Sequence, residues 1–350
     1  MVLKMPLYCK EFKCIADKCK DNCCVGWEID IDPSSAEYYD SLNGEFGDRL
    51  RSNIEKGEVC SFKLKGERCP FLNDSNLCDI IINLGEDKLC QICGDHPRYS
   101  EWYSDVKEGG IGLCCEEAAR IIVGAKENFG TYDIPCDDEG CDDYDERLYN
   151  VLSFARREII DTLENEGFSL KDRIASVLEY VLELQFRIDN YDYTGIPITV
   201  QCSAECTEAD VEGFLESIRQ LEPIDENWQE YLQKLIDDMS TSDRDFTYDK
   251  EVERCLKNIA VYFIWRYFLK GVYDDEIISK TFLMALSVVT IKLMFEREIQ
   301  SGESLDSEKC SQLAKNYSKE IEYSEENLEM LYNMVYENPA FSKDNILSIL

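Results

Sequence analysis

Beyond residue 146 the apolar positions recur with the period of an α-helix. Leu148, Val151, Leu152, Ala155, Ile159 and Leu163 fall on one helical face; Leu170, Ile174, Val177, Leu178, Val181 and Leu182 fall on the face of a second. A polar break containing Gly and Pro follows over 189–206, and Thr207-x-x-Asp210 predicts the cap of another helix. Residues 251–270 and 276–300 are apolar nearly all round, which predicts helices buried inside a bundle rather than lying on its surface. Two more amphipathic helices close the chain, and there is no internal repeat or low-complexity tract.

The first 141 residues read differently. Val25, Trp27, Ile29 and Ile31 alternate with Gly26, Glu28, Asp30 and Asp32, the period of a strand, which Pro33 stops. Ser34-x-x-Glu37 then reads as a capping box opening a short helix. Cys60, Phe62 and Leu64 alternate again, and Cys69-Pro70-Phe71-Leu72 and Leu77-Cys78 flank the turn-forming Asn73-Asp74-Ser75-Asn76. Glu116 to Val123 is helical in pattern, with Gly124 at its end; Gly109-Gly110-Ile111-Gly112 reads as a turn. The acidic run Asp137 to Glu146 reads as a linker, since like charges repel and do not pack. The expected fold is mainly α: a cysteine-rich, metal-binding N-terminal module with short strands over 1–141, and an all-helical domain over 146–350.

Charge narrows the function. With 37 basic and 72 acidic side chains among 350 residues the net charge is −35, while 44% hydrophobic content is sufficient for packed cores. Such a chain lacks the Lys and Arg clusters that phosphate contacts need, so no nucleic-acid partner is expected, and docking to anionic lipid is disfavoured. A basic or lysine-bearing partner is favoured by long-range attraction. No signal peptide is visible after Met1. The best candidates for a membrane span, Ile259–Leu269 and Phe282–Phe295, are short and interrupted by Arg266 and Lys292, so no membrane partner is expected.

Cysteine changes the picture most. There are 18, of which 14 lie at or before residue 141. In a reducing cytoplasm, the expected location, clustered thiols hold metal more often than each other. The densest group is Cys14-(x4)-Cys19-(x3)-Cys23-Cys24, followed by Gly26-Trp27, with single cysteines at Cys69, Cys78, Cys93 and Cys115. Thiolates suit Zn, Cu(I) or iron–sulfur clusters. Adjacent Cys23 and Cys24 point apart, so the pair can serve two centres, or one centre and one buried thiol. The alternative is that all eight are small buried hydrophobes. His96 is the only histidine, which excludes a Ser–His–Asp triad and a His-rich zinc hydrolase.

These segments, with Pro97-Arg98 and Cys115-Glu116-Glu117-Ala118-Ala119-Arg120, resemble the flagellin lysine-N-methylase family, part of the wider zinc- or iron-chelating group named for its CxxCxxCC motif. The match spans roughly residues 8–125. The resemblance implies methylation of lysine ε-amines on flagellin with S-adenosylmethionine as donor and a [4Fe–4S] cluster in the cysteine-rich part, zinc being the alternative metal. The motif cysteines fall on Cys14, Cys19, Cys23, Cys24, Cys69, Cys78, Cys93 and Cys115. A cubane takes at most four thiolates, so eight imply a second centre or another job for some. Arg98, Glu117 and Arg120, carried over from the same segments, hold either the donor's carboxylate and amine or one another in a salt-bridge network; Trp27 is a stacking surface or a core residue. The sequence departs from the family at His96, commonly aromatic there, at Glu116, commonly proline, and in the extra thiols Cys9, Cys60, Cys90, Cys114, Cys136 and Cys141.

Methyl transfer from a sulfonium to a neutral amine is an in-line displacement that needs deprotonation and alignment, not redox chemistry. The cluster is then structural or anchors the donor through an open iron. Radical chemistry is a third role, but the C-x3-C-x2-C spacing is absent, and so is a strand–GxGxxG–helix signal. Two other readings stand beside the enzyme: a non-enzymatic Zn or Fe–S binding module whose helical domain binds a protein partner, and an iron–sulfur electron carrier.

Overall fold

The structure is a computed structural model describing residues 1–26, 28–103, 105–137, 140, 144–201, 208–239, 246 and 248–350. Trp27, Cys141, the centre of the acidic linker and Thr207 lie outside the described residues. Strands β1 (Val2–Pro6), β2 (Asp30–Ile31), β3 (Ile54–Lys56), β4 (Cys60–Phe62), β5 (Arg98–Tyr103), β6 (Val106–Ile111) and β7 (Thr131–Pro135) make two sheets, ordered β5-β6-β1-β7 and β2-β4-β3. Helices α1 (Pro33–Ser41), α2 (Glu45–Ser52), α3 (Asp79–Leu84), α4 (Gln91–Asp95) and α5 (Glu116–Gly124) share that half. The rest is helical: α6 (Glu146–Leu163), α7 (Leu170–Asp189), α8 (Val211–Ile218), α9 (Trp228–Met239), α10 (Lys250–Tyr267), α11 (Ile278–Gln300), α12 (Ser307–Glu322), α13 (Glu325–Glu337) and α14 (Lys343–Ile349). The fold is mainly α, with few and short strands.

Periodicity found the bundle. The six expected inward residues of α6 are all buried; on α7 Ile174, Val177, Leu178 and Val181 are buried, while Leu182 is exposed. Asp210 caps α8 by accepting from Gly213 N at 2.8 Å. α11 (23 residues) matches the apolar run over 276–300 to within two residues. It is long and apolar enough to cross a membrane by length and composition, yet 94% of its most apolar window is buried inside the fold. Its Thr281, Ser287 and Thr290 hydroxyls donate to carbonyls one turn back, at 2.8, 2.7 and 2.8 Å, so polar groups fit a dry interior. Lys292 is satisfied there by Glu296 at 2.6 Å. Three helices rather than two follow α11.

Three local expectations fail for stated reasons. The strand expected over 25–31 shrinks to β2, with Val25 left in an isolated bridge to Arg68, because Gly26 turns the chain at φ +89°. The cap of α1 is Asp32, not Ser34: Pro33, with φ preset and no N–H to lose, takes the first helical position. The Gly109–Gly112 segment is no turn. It runs through β6, where Gly110 lies opposite Tyr99 and a Cβ on Gly110 would collide with the Tyr99 ring.

Packing divides the chain differently from composition. The large core spans the bundle and continues into the first sheet and α5 through Tyr103, Ile111, Leu113, Ala118, Ile121 and Ile122. Glu108 on β6 and Arg156 on α6 close this junction with a buried two-bonded ion pair, 2.6 and 2.7 Å, under the Trp265 ring. A separate small core holds Ile29, Ile31, Tyr39, Leu50, Ile54, Phe62, Phe71, Leu72 and Ile80 together with Cys69 and Cys90. Four of the eight motif cysteines, Cys24, Cys69, Cys78 and Cys93, lie in or against the core of this small lobe, β2–β4 with α1–α4.

Candidate functional site: a thiol-bearing lobe and the cavity at its junction with the bundle

Short elements bring distant thiols of the small lobe together. The Cys69 N–H donates to the Cys24 carbonyl at 2.9 Å, Cys78 bridges to Leu72 across the expected turn, and α4 carries Cys93. Cys24 is pushed up by its hydrogen bond to Cys23, by burial and by neighbouring Cys69 and Cys78; Cys93 is pushed up by its bond to Cys90, by burial and by Cys24 and Cys69. Burial lifts Cys69 to about 11. Cys69 lies inside the small core, and Cys24, Cys78 and Cys93 pack against it, so the four are neighbours.

Cys14, Cys19 and Cys115 form a second neighbourhood on the bundle side. Burial holds Cys115 at about 11 despite N–H bonds from Ala118 and Glu117, with Cys23 and Cys14 adding to the rise. Cys19 is pushed to about 12 by burial and by the Glu116 carboxylate. Cys23, which both neighbourhoods feel, borders the two. Glu116, a departure from the family pattern, has a task here: Oε2 accepts from Lys20 N at 2.7 Å and Asp21 N at 3.2 Å, tying the cysteine loop to the start of α5. Asp21 in turn pairs with Lys315 and Lys319 of α12. Among the described residues no three Cys, His, Asp or Glu side chains are placed to hold a metal ion.

Between the small lobe and the bundle lies a cavity of about 760 Å³. β2 and the start of α1 line it with Asp30 to Pro33, α4 and β5 with Gln91, Ile92 and Asp95 to Tyr99, the segment after β6 with Gly112 and Cys114, α10 with Arg266 and α12's end with Tyr323. Asp32 is fully used, accepting from Ser34, Ser35 N and Gln91 N at 2.6, 2.9 and 2.8 Å, bonds that outweigh the cost of its burial and hold its carboxyl well below the usual range. Asp30, Glu58 and Asp95 are exposed at the same cavity. His96 is depressed to about 4 by burial and by Arg98, so its imidazole is neutral at neutral pH.

Of the three residues expected to hold a donor, Arg98 lines this cavity, its guanidinium 5.2 Å from the Phe12 ring centre. Glu117 and Arg120 do not join it. They bind each other through two 2.7 Å bonds and line another cavity, of about 560 Å³, beside α12. The residue missed from sequence is Arg266. Its Nη1 meets Glu322 at 2.7 Å and Tyr262 at 2.5 Å, and the guanidinium lies over the Tyr99 ring at 4.5 Å. Glu322, fully buried, also accepts from Tyr262 and Tyr267 at 2.8 Å each and from Ser318 at 2.5 Å. The available signal was an arginine interrupting an otherwise apolar helix.

Residues 156–349, more than half of the chain, match the FliB lysine N-methylase C-terminal domain. "Flagellar biosynthetic protein FliU" of Salmonella muenchen is 26% identical over 146 residues, 37% of this chain and 86% of that protein. "Lysine-N-methylase" of Salmonella typhimurium is 26% identical over 127 residues, 34% of this chain and 31% of that protein, and the same figures hold for its namesake in Salmonella choleraesuis. The match thus spans about a third of the length of these lysine-N-methylases. No solved structure matches. By the match over its helical half, the chain belongs to the FliB lysine N-methylase family.

Proposed function

We propose that this chain is a protein-lysine N-methyltransferase that moves a methyl group from S-adenosylmethionine to lysine ε-amines of flagellin in the cytoplasm. The match of its helical half to a lysine N-methylase domain carries the reading. The relatives' names, which speak of lysine methylation and flagellar biosynthesis, support it. A junction cavity of about 760 Å³ suits a small-molecule donor. The net charge of −35 suits a lysine-bearing partner.

In this reading the exposed carboxylates of Asp30, Glu58 and Asp95 give the cavity a negative potential that attracts cations, the lysine ammonium among them. The ammonium gives up a proton to water at the cavity mouth, and the nitrogen lone pair then attacks the methyl carbon in line. The carbon–sulfur bond breaks with its electron pair on sulfur, leaving S-adenosylhomocysteine. Ile31, Pro97, Tyr99 and Tyr323 supply apolar walls that limit water at the reacting atoms. Neutral His96 can accept a hydrogen bond but is a weak base at neutral pH.

The donor chemistry of the lobe fits a [4Fe–4S] cluster, which belongs to the same proposal. Cubane ligands bind four different irons, so their sulfurs need not meet at a point, whereas one zinc needs a convergence not found among the described thiols. Cys24, Cys69, Cys78 and Cys93 are the set that would hold it. Held by all four thiolates, a cluster would tie the lobe's loops together as a structural centre. Displacing protons from raised thiols makes loading easier as pH rises.

The test uses protein purified without oxygen, assayed for iron, sulfide and zinc and incubated with flagellin and methyl-labelled S-adenosylmethionine. Iron and sulfide in equal amounts with label on lysine are expected. Zinc without sulfide and no labelled lysine would replace this reading with a metal-binding protein-interaction module.

A further inference from the structure

Arg266 is placed as a receptor, not only as a structural ion. Glu322 and Tyr262 occupy Nη1, whereas Nε and Nη2 make no hydrogen bond to a described residue. The Arg266 side chain keeps 17% of its surface exposed and lines the junction cavity. The Nε–Nη2 edge of a guanidinium is a two-donor fork matched to a carboxylate. Its orientation is fixed from behind: Glu322 holds it, and the Tyr99, Tyr267 and Tyr262 rings lie 4.5, 5.3 and 5.9 Å from its centre. Glu322 neutralises the charge of Arg266, so a second carboxylate needs a second cation, and Arg98 lines the same cavity. Asp30, Glu58 and Asp95 offer acceptors there to cationic groups.

We propose that Arg266, held by Glu322 and assisted by Arg98, receives the carboxylate of the methyl donor's amino-acid part in the junction cavity, with the exposed carboxylates of that cavity facing its amine and sulfonium. This deepens the methyl-transfer reading and rests on it. It assigns the donor to the junction cavity and leaves the Glu117–Arg120 pair as a structural ion pair. Arg266 and Arg98 are then residues that set affinity for the donor and distinguish it from sulfonium compounds without a carboxylate.

The test is equilibrium binding to the full chain, purified without oxygen, of S-adenosylmethionine and of its decarboxylated analogue. Wild-type protein is expected to prefer S-adenosylmethionine by at least about tenfold, the equivalent of about 1.4 kcal/mol. Arg266→Lys, which keeps a cation for Glu322 but loses the fork, is expected to lower that affinity about tenfold and leave the analogue's unchanged. Arg98→Gln, away from Glu322, is expected to narrow the preference in the same direction and serves if Arg266→Lys does not fold. Equal binding of the two compounds by wild type, or equal loss of both in the variants, overturns the proposal while the methyl-transfer reading stands. Binding of neither compound overturns both.

Discussion

The bundle and the small lobe bury their residues by different means. α11 alone places Leu283, Met284, Ala285, Leu286, Val288, Val289, Ile291, Leu293, Met294 and Phe295 out of reach of water. The whole small lobe has about as many fully apolar core residues, spread over strands of two or three residues and helices of five to nine. Elements that short bury too little to offset the chain entropy of ordering them. What the lobe has in place of apolar area is thiols: Cys69 and Cys90 inside its core and Cys24, Cys60, Cys78 and Cys93 packed against it. The bundle is held by packing, while in the proposed reading the lobe depends on a cluster bound by its thiols.

The sharpest way to break this contrast is at the sheet, which packing assigns to the bundle. Glu108→Ala strands the buried Arg156 charge and should lower stability of the bundle and first sheet together by about 3–5 kcal/mol. The double change Glu108→Leu with Arg156→Met should restore most of it, read from urea unfolding. Loss confined to the small lobe would contradict the shared core. Phe71→Ala, which empties the lobe's aromatic centre against Phe46 and Phe62, should remove about 3–5 kcal/mol from the lobe alone. Hydrogen exchange should then rise over β2–β4 and α1–α4 with the bundle unchanged.

Smaller effects follow from the lobe's polar pins. Asp32→Ala removes the α1 cap and the tie to α4 and should cost about 1–2 kcal/mol. Because the folded Asp32 carboxyl lies below its unfolded value of about 4, its contribution is present above pH 4 and lost as pH falls through the folded value. His96 works in a neighbouring window. Its folded value of about 4 lies below the unfolded value of about 6.5, so stability falls as pH drops from about 6.5 to about 4, where the unfolded chain binds the proton first. His96→Phe should flatten that slope in a thermal-melt pH series; an unchanged slope would assign it to other groups.

The bundle was legible because a 3.6-residue period is a local property that survives burial, as in α6 and α10. The sheet was not, since β1 pairs with β6 and β7, partners far along the chain that no local pattern announces. The eight motif cysteines were singled out by spacing and family resemblance. Their sorting into one neighbourhood in the lobe and another beside α5 required the fold. Arg98 was found by family pattern, but Arg266 gains meaning only from Glu322, which another helix supplies.

Hydrogen exchange of the full chain with and without S-adenosylmethionine tests most directly whether the cavity between lobe and bundle is the working site. The account predicts joint slowing of exchange over 30–33, 91–99 and 112–114 together with the ends of α10 and α12. Slowing confined to Glu116–Arg120 and the face of α12 around Lys315 would place the donor in the other cavity and contradict it.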